Sequence, residues 1–168
     1  MPNWCENYLE ITGPAGEVRR FRQEVRGDVE FDFETILPTP PEMSDGSSSE
    51  GRNMPDWWDW RTSSSGWSTK WGVDIINEDP VEEGFCWYFH SAWSPPEAII
   101  FQLGAMYPAL RFQLRYAESG SFFAGSLIIN RGEVEEDIGY DSNSAEELYQ
   151  FVREYLGQDW QEWEEEDE

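Results

Sequence analysis

The residues best equipped for chemistry in this chain are carboxylates, and they gather toward its end. Residues 133–168 hold fifteen Asp and Glu against a single base, Arg153. The candidates are Glu133, Glu135, Glu136, Asp137 and Asp141, then Glu146, Glu147 and Glu154 on a helix, then Asp159, Glu162, Glu164, Glu165 and Glu166. Carboxylates have one obvious use at this density. They can replace phosphates against the Arg and Lys of a nucleic-acid-binding protein. Duplex DNA carries one charge per ~1.7 Å of axis. On the helix, Glu147 and Glu154 lie two turns apart with neutral Gln150 between them, whereas helical neighbours three or four apart sit ~5–6 Å from each other. The helix alone is therefore too sparse, and a DNA mimic needs the flanking acids beside it. The plainer alternative is a solvated acidic face with a frayed tail, which Trp160 and Trp163 weaken because indoles do not belong wholly in water.

A second group could bind by stacking. Trp57, Trp58 and Trp60 fall within four residues, and Trp67, Lys70 and Trp71 follow closely. Indoles around a cation can clamp an anion or stack a base, but platforms for single strands need a basic groove. Lys70 is the only Lys in the chain. The structural alternative lays the Lys70 stem on Trp and pairs its head with a carboxylate.

Other reactive types give less. Ser94, ahead of Pro95-Pro96, reads as a helix N-cap. As a nucleophile it would need a base, and His90 is the only His. Cys86 and His90 would share a strand face, and with Cys5 they make at most three zinc-type ligands without the paired spacing of a structural site. No calcium-binding loop of the Asp-x-Asp-x-Asp-Gly type is present. No metal, cofactor or catalytic residue is expected, and the chain reads as a non-enzyme.

The whole chain has 168 residues and a net charge of −24. Such a charge repels itself and costs folding stability. It disfavours direct binding to nucleic acid or an anionic membrane and favours a basic protein partner. Ten Trp, ten Phe and seven Tyr argue against a disordered acidic chain. Two distant cysteines, with no signal peptide and no apolar run near twenty residues, point to the cytoplasm and reduced thiols.

The elements that must position these groups follow from periodicity. Residues 4–12 alternate as a strand, with Cys5, Asn7, Leu9 and Ile11 on one face. Residues 15–26 read as a helix with Val18, Phe21 and Val25 on one side, closed by Gly27. Phe31, Phe33 and Ile36 suggest a short extended piece. Residues 38–66 form a long insertion rich in Pro, Ser and Trp, part of which should pack as a short helix or turn. Strands are expected at 71–77, 85–93 and 111–117, with a helix at 96–107 between the last two. A hairpin signal at Ser119-Gly120 leads to strand 121–130, and a further short strand falls at 134–138. Ser144 looks like an N-cap, with Glu147 at the capping-box position, for a helix at 145–156 that Gly157 closes. The order β-α-β-β-α-β is a ferredoxin-like α+β core. It implies an antiparallel sheet with helices on one face, extended by a β-hairpin and C-terminal helix. Residues 1–157 would form one domain with the insertion at 38–66, and 158–168 an acidic tail. An open sheet edge would allow a homodimer.

Four stretches together resemble one family. They are Met1-Pro2-Asn3-Trp4-Cys5-Glu6-Asn7, Gly66-Trp67-Ser68-Thr69-Lys70-Trp71-Gly72, Ser91-Ala92-Trp93-Ser94-Pro95-Pro96, and Tyr116-Ala117-Glu118-Ser119-Gly120 running into Phe123-Ala124-Gly125. They look like the YubB-type ferredoxin-like proteins of phages, plasmids and bacterial genomes, a family of unknown function. The resemblance covers roughly residues 1–130. It implies a ferredoxin-like fold and a mobile-element origin, and no catalytic residues. By analogy, the expected function is an anti-defence protein that mimics DNA and blocks a host CRISPR or restriction complex. The alternative is a non-catalytic binding module whose Trp-rich insertion holds a peptide or small ligand.

Overall fold

The structure, a computed structural model, describes residues 3–43, 55–73 and 75–160. Strand β1 (Trp4–Thr12) leads into helix α1 (Ala15–Glu24), a short helix α2 (Phe33–Ile36) and a 3-10 turn (Pro41–Met43). Helix α3 (Asp56–Thr62) precedes β2 (Ile75–Val81), β3 (Gly84–Ala92), α4 (Glu97–Met106) and β4 (Arg111–Glu118). Strands β5 (Phe123–Asn130) and β6 (Glu133–Tyr140), a 3-10 turn (Ser142–Ser144) and α5 (Ala145–Leu156) complete the order.

The six strands form one sheet in the order β2-β3-β1-β4-β5-β6, and every pairing is antiparallel. The expected kernel is present. Strands β4-β1-β3-β2 lie side by side, with α1 and α4 as the two crossovers. Alternation in β1 buries Cys5, Asn7, Leu9 and Ile11, while β3 buries Phe85, Trp87, Phe89 and Ser91 on the same face. Val18, Phe21 and Val25 of α1 and Ile99, Ile100 and Leu103 of α4 cover that face. Phe21 meets four rings there, those of Phe85, Trp87, Tyr107 and Phe112, at 5.3–6.3 Å. A fully buried ring of this size contributes roughly 1.5–3 kcal/mol from transfer alone.

Helix α5 lies on the opposite face. Its Leu148, Phe151 and Val152 pack with Ala117 and Ala124, whose small side chains leave room beside the outer strands. Strand β5 is thus covered on both sides, which explains its nearly continuous burial. The first residues of the expected tail pack too. Trp160 is buried in this second cluster, and its indole donates to Gln158. Among the described residues no helix is long and apolar enough to cross a membrane.

Three local expectations change. Residues 33–36 are helical and not extended, because Asp32 caps them by accepting from the Glu34 amide at 2.9 Å. The strand expected at 71–77 starts at Ile75 and runs to Val81. It tolerates Pro80 because it is an edge strand, where one row of amides needs no partner. Ser144 does stand at the N-cap position of α5, but its side chain makes no capping bond to that helix, and Asp141 caps the preceding 3-10 turn by accepting from the Asn143 amide at 2.8 Å. Ser144 Oγ reciprocates by accepting from the Asp141 amide at 3.0 Å.

Candidate functional site

The four sequence motifs converge near one end of the sheet, where β1 begins and β3 ends. Buried Asn7 donates to Ser91 Oγ at 2.8 Å, and Ser91 Oγ donates to the Ser94 carbonyl at 2.6 Å. Thr69 Oγ1 donates to the Ala92 carbonyl at 2.8 Å, and the Trp93 amide to the Asn3 carbonyl at 2.9 Å. These bonds clamp the segment after the insertion onto the strand ends. The expected N-cap role of Ser94 is not what forms. Ser94 Oγ donates to the Ser68 carbonyl, and Ser68 Oγ accepts from the Ala98 amide at 3.2 Å in the first turn of α4. A residue thirty positions upstream does the capping, which no local pattern could reveal.

The clamp holds a row of tryptophans at the surface. Ring centroids run Trp57–Trp58 at 6.3 Å, Trp58–Trp93 at 6.1 Å and Trp93–Trp71 at 6.4 Å, with planes within 19–23° of parallel. Trp4 continues the row 6.4 Å from Trp71, and His90 lies 6.3 Å from Trp4. Trp4, Trp93 and Trp71 are 44%, 39% and 36% exposed. Trp93 and Ser68 both sit at φ 63°, a left-handed conformation that bulky residues avoid. Such strain persists only where surrounding structure enforces it, and it gathers at functional places.

Lys70 lies beneath the row. Its Nζ is 3.3 Å from the Trp58 ring centroid, 4.2 Å from Trp71 and 5.4 Å from Trp93. No carboxylate among the described residues meets its head, where one was expected. Among the described residues its charge is met by ring faces alone. Burial draws its pKa below the ordinary lysine value, and the ring quadrupoles act in the opposite sense.

The aromatic residues singled out in the sequence divide. Trp57, Trp58 and Trp71 join the row. Trp67 is core: its indole donates to the Leu37 carbonyl at 2.8 Å, and Phe33 and Trp60 pack edge-on to it. Trp60 packs on that core. Arg61 stacks between the Trp57 and Trp67 rings at 4.5 and 4.4 Å and pairs with Glu34 at 3.0 Å, which fixes α3 on α2. Trp4 and Trp93, which stand in the first and third motifs, are further members of the row that the sequence does not single out. Their strand-end positions were the available signal.

The acids divide as well. Glu135 accepts from Asn130 at 2.7 Å, Glu136 from Ser126 at 2.6 Å, and Asp159 pairs with Arg153 at 3.2 Å. With Asp141 at its cap, these four serve local structure. Glu133, Asp137, Glu146, Glu147 and Glu154 are exposed and form no ion pair among the described residues. Acids on β6 also guard a sheet edge against pairing. Glu162, Glu164, Glu165 and Glu166 lie outside the described residues.

The thiols do not join a metal site. Cys5 faces α1 and α4, while Cys86 and His90 face the other way. Burial, reinforced by the Glu118 charge, pushes the Cys5 thiol far up, and burial with Glu10 and Asp79 takes Cys86 up to about 11. Both stay protonated and poorly nucleophilic at neutral pH. Among the described residues no group of three or more His, Cys, Asp or Glu is placed to hold a metal.

Residues 66–167 match the family model described as a ferredoxin-like domain in Api92-like protein. The crystal structure of the protein api92 from Yersinia pseudotuberculosis is similar in fold, with a TM-score of 0.52 at 11% identity. The match covers 84% of this chain and 99% of that one. No curated protein matches the chain.

Proposed function

We propose, for a chain that belongs to the family of ferredoxin-like domains in Api92-like proteins, that it is a non-catalytic module binding an extended segment of a basic protein. The tryptophan row supports this reading. Exposed indoles in contact are costly on a free surface unless something covers them, and Trp is enriched where partners anchor. Successive rings stand 6.1–6.4 Å apart. Alternate side chains of an extended peptide stand ~6.6 Å apart, so each ring can meet one of them. Proline rings and Arg guanidiniums are suited to indole faces. The net charge of −24 steers a cationic partner toward the molecule.

A second reading keeps the lead expectation from sequence. Here the chain is an anti-defence protein of YubB type and mobile-element origin, and it occupies the DNA channel of a host complex. Glu133, Asp137, Glu146, Glu147 and Glu154, exposed and without an ion pair among the described residues, favour it.

One experiment separates the two. Tagged chain captures partners from nuclease-treated bacterial lysate, and the captured protein is then measured against Trp4→Ala/Trp71→Ala and Glu146→Gln/Glu147→Gln/Glu154→Gln variants. Loss of binding in the tryptophan variant, with only partial weakening by salt and no displacement by duplex DNA, supports the module. Loss in the glutamine variant, with release by salt and displacement by duplex DNA, supports mimicry. A partner indifferent to both variants defeats both readings.

A further inference from the structure

At the far end of the sheet lies a cavity of about 800 Å³, floored where β1 ends and where β3 and β4 begin. Its charged lining consists of Arg19, Arg111, Arg131 and Glu83. Pro14, Val18 and Ala109 supply an apolar wall. The volume is that of a small-molecule site. β1 spans nine residues between the tryptophan row at Trp4 and this cavity at Thr12, roughly 26 Å at ~3.3 Å per residue. The two places are therefore distinct.

Three arginines here are unexpected in a chain with 35 acids and eleven bases. Four other guanidiniums are paired, Arg20 with Glu17, Arg22 with Glu78, Arg61 with Glu34 and Arg153 with Asp159, while Arg115 stacks on Tyr155 and Arg26 forms no ion pair among the described residues. Arg19 and Arg131 have no carboxylate partner among the described residues, despite the surplus. Arg111 is held by Gln113 at 3.1 Å, with Glu135 at 3.8 Å. Two free guanidiniums and one oriented one thus face a shared space. Arg131 occupies a costly position as well. It and Gly132 have φ of 54° and 79°, the two left-handed residues of a β5–β6 hairpin turn. Such turns favour Asn, Asp or Gly at that place. Its amide donates to the Leu110 carbonyl at 3.3 Å, which ties the turn to the cavity wall.

We infer that this cavity binds a small molecule through a multiply charged anionic group, a phosphate or a set of carboxylates. Arg forks grip either kind bidentately. Glu83 in the lining and Glu135 beside Arg111 oppose the anion, leaving three guanidiniums against two carboxylates, with Arg19 and Arg131 unpaired among the described residues. More distant acids are screened beyond a Debye length of ~8–10 Å.

The test is amide chemical-shift titration of the full chain with inorganic pyrophosphate and, separately, with citrate, at constant ionic strength. Saturable shifts at Gly13, Ala15, Arg131 and Gly132 are expected. Response to pyrophosphate alone identifies a phosphate ligand, and response to citrate alone a carboxylate one. Arg131→Gly suits the left-handed turn and keeps the fold, while Arg19→Gln changes an exposed side chain. Each should weaken binding about tenfold, the value of one charge-assisted contact. No saturation by either probe, or undiminished affinity in the double variant, overturns the inference.

Discussion

Replacing Lys70 by Met isolates the charge under the tryptophan row while keeping a long stem. The ammonium lies 3.3 Å from the Trp58 ring centroid and 4.2 Å from that of Trp71, with Trp93 more distant at 5.4 Å. A desolvated cation over a ring is worth about 2 kcal/mol, and an exposed one about 0.5–1. Two close rings at an intermediate value contribute about 3 kcal/mol. Met returns about 1 kcal/mol by burying an apolar end without dehydrating an ammonium. Lys70→Met should therefore lose about 2 kcal/mol, which for a domain of this size lowers Tm by about 4–8 °C. Far-UV circular dichroism during heating reads the stability. The near-UV spectrum reads whether the indoles still pack in a chiral array, and its intensity should fall. An unchanged or raised Tm with an intact near-UV band would refute the reasoning. It would mean that burial of the charge outweighs the ring faces and that Lys70 does not organise the row.

Three further substitutions test other parts of the structure. Burial raises the Glu97 carboxyl above its ordinary pKa, the Tyr116 hydrogen bond opposes this, and Asp137 adds repulsion. Its ionised form thus costs stability at neutral pH, and that cost disappears as pH falls through the carboxylate range. Glu97→Gln should raise Tm at neutral pH and match the parent below about pH 4, near where an ordinary Glu titrates; a pH series of melts that shows no neutral-pH gain sinks the assignment. Ser68→Ala removes the acceptor for the Ala98 amide at 3.2 Å and should cost about 1 kcal/mol in denaturant titration, whereas Ser94→Ala should leave that capping bond in place. A larger loss at Ser94 than at Ser68 would return the cap to Ser94.

Much of the fold was legible because local rules and tertiary packing agree. Alternation in β1 and the apolar faces of α1, α4 and α5 all point to the surfaces they bury. Gly157 was readable as a helix end for the same reason, since it sits at φ 64° and the Gln158 amide reaches back to the Val152 carbonyl at 3.0 Å. Some misread places are those where a distant group overrides the local pattern. Ser68 takes the cap that Ser94 seemed placed to supply. Residues 71–73 looked like strand but belong to the approach to the row, and pairing with β3 begins at Ile75.

The sequence by itself determined the α+β order, the antiparallel kernel and the acidic surplus, because period-two and helical patterns and formal charge are properties of neighbours along the chain. It also determined that Trp and Lys70 would matter together. Only the tertiary structure decided which tryptophans are core and which are surface, and that Trp4 and Trp93 join Trp57, Trp58 and Trp71. Only it could gather Arg19, Arg111 and Arg131 around one cavity from α1, β4 and the β5–β6 turn. The physical reason is the same in each case. Burial and electrostatic partnership are set by residues far apart in sequence, and the antiparallel register of β1 with β3 and β4 fixes both ends of the sheet, Trp4 beside Ala92 at one and Thr12 beside Gly84 and Arg111 at the other.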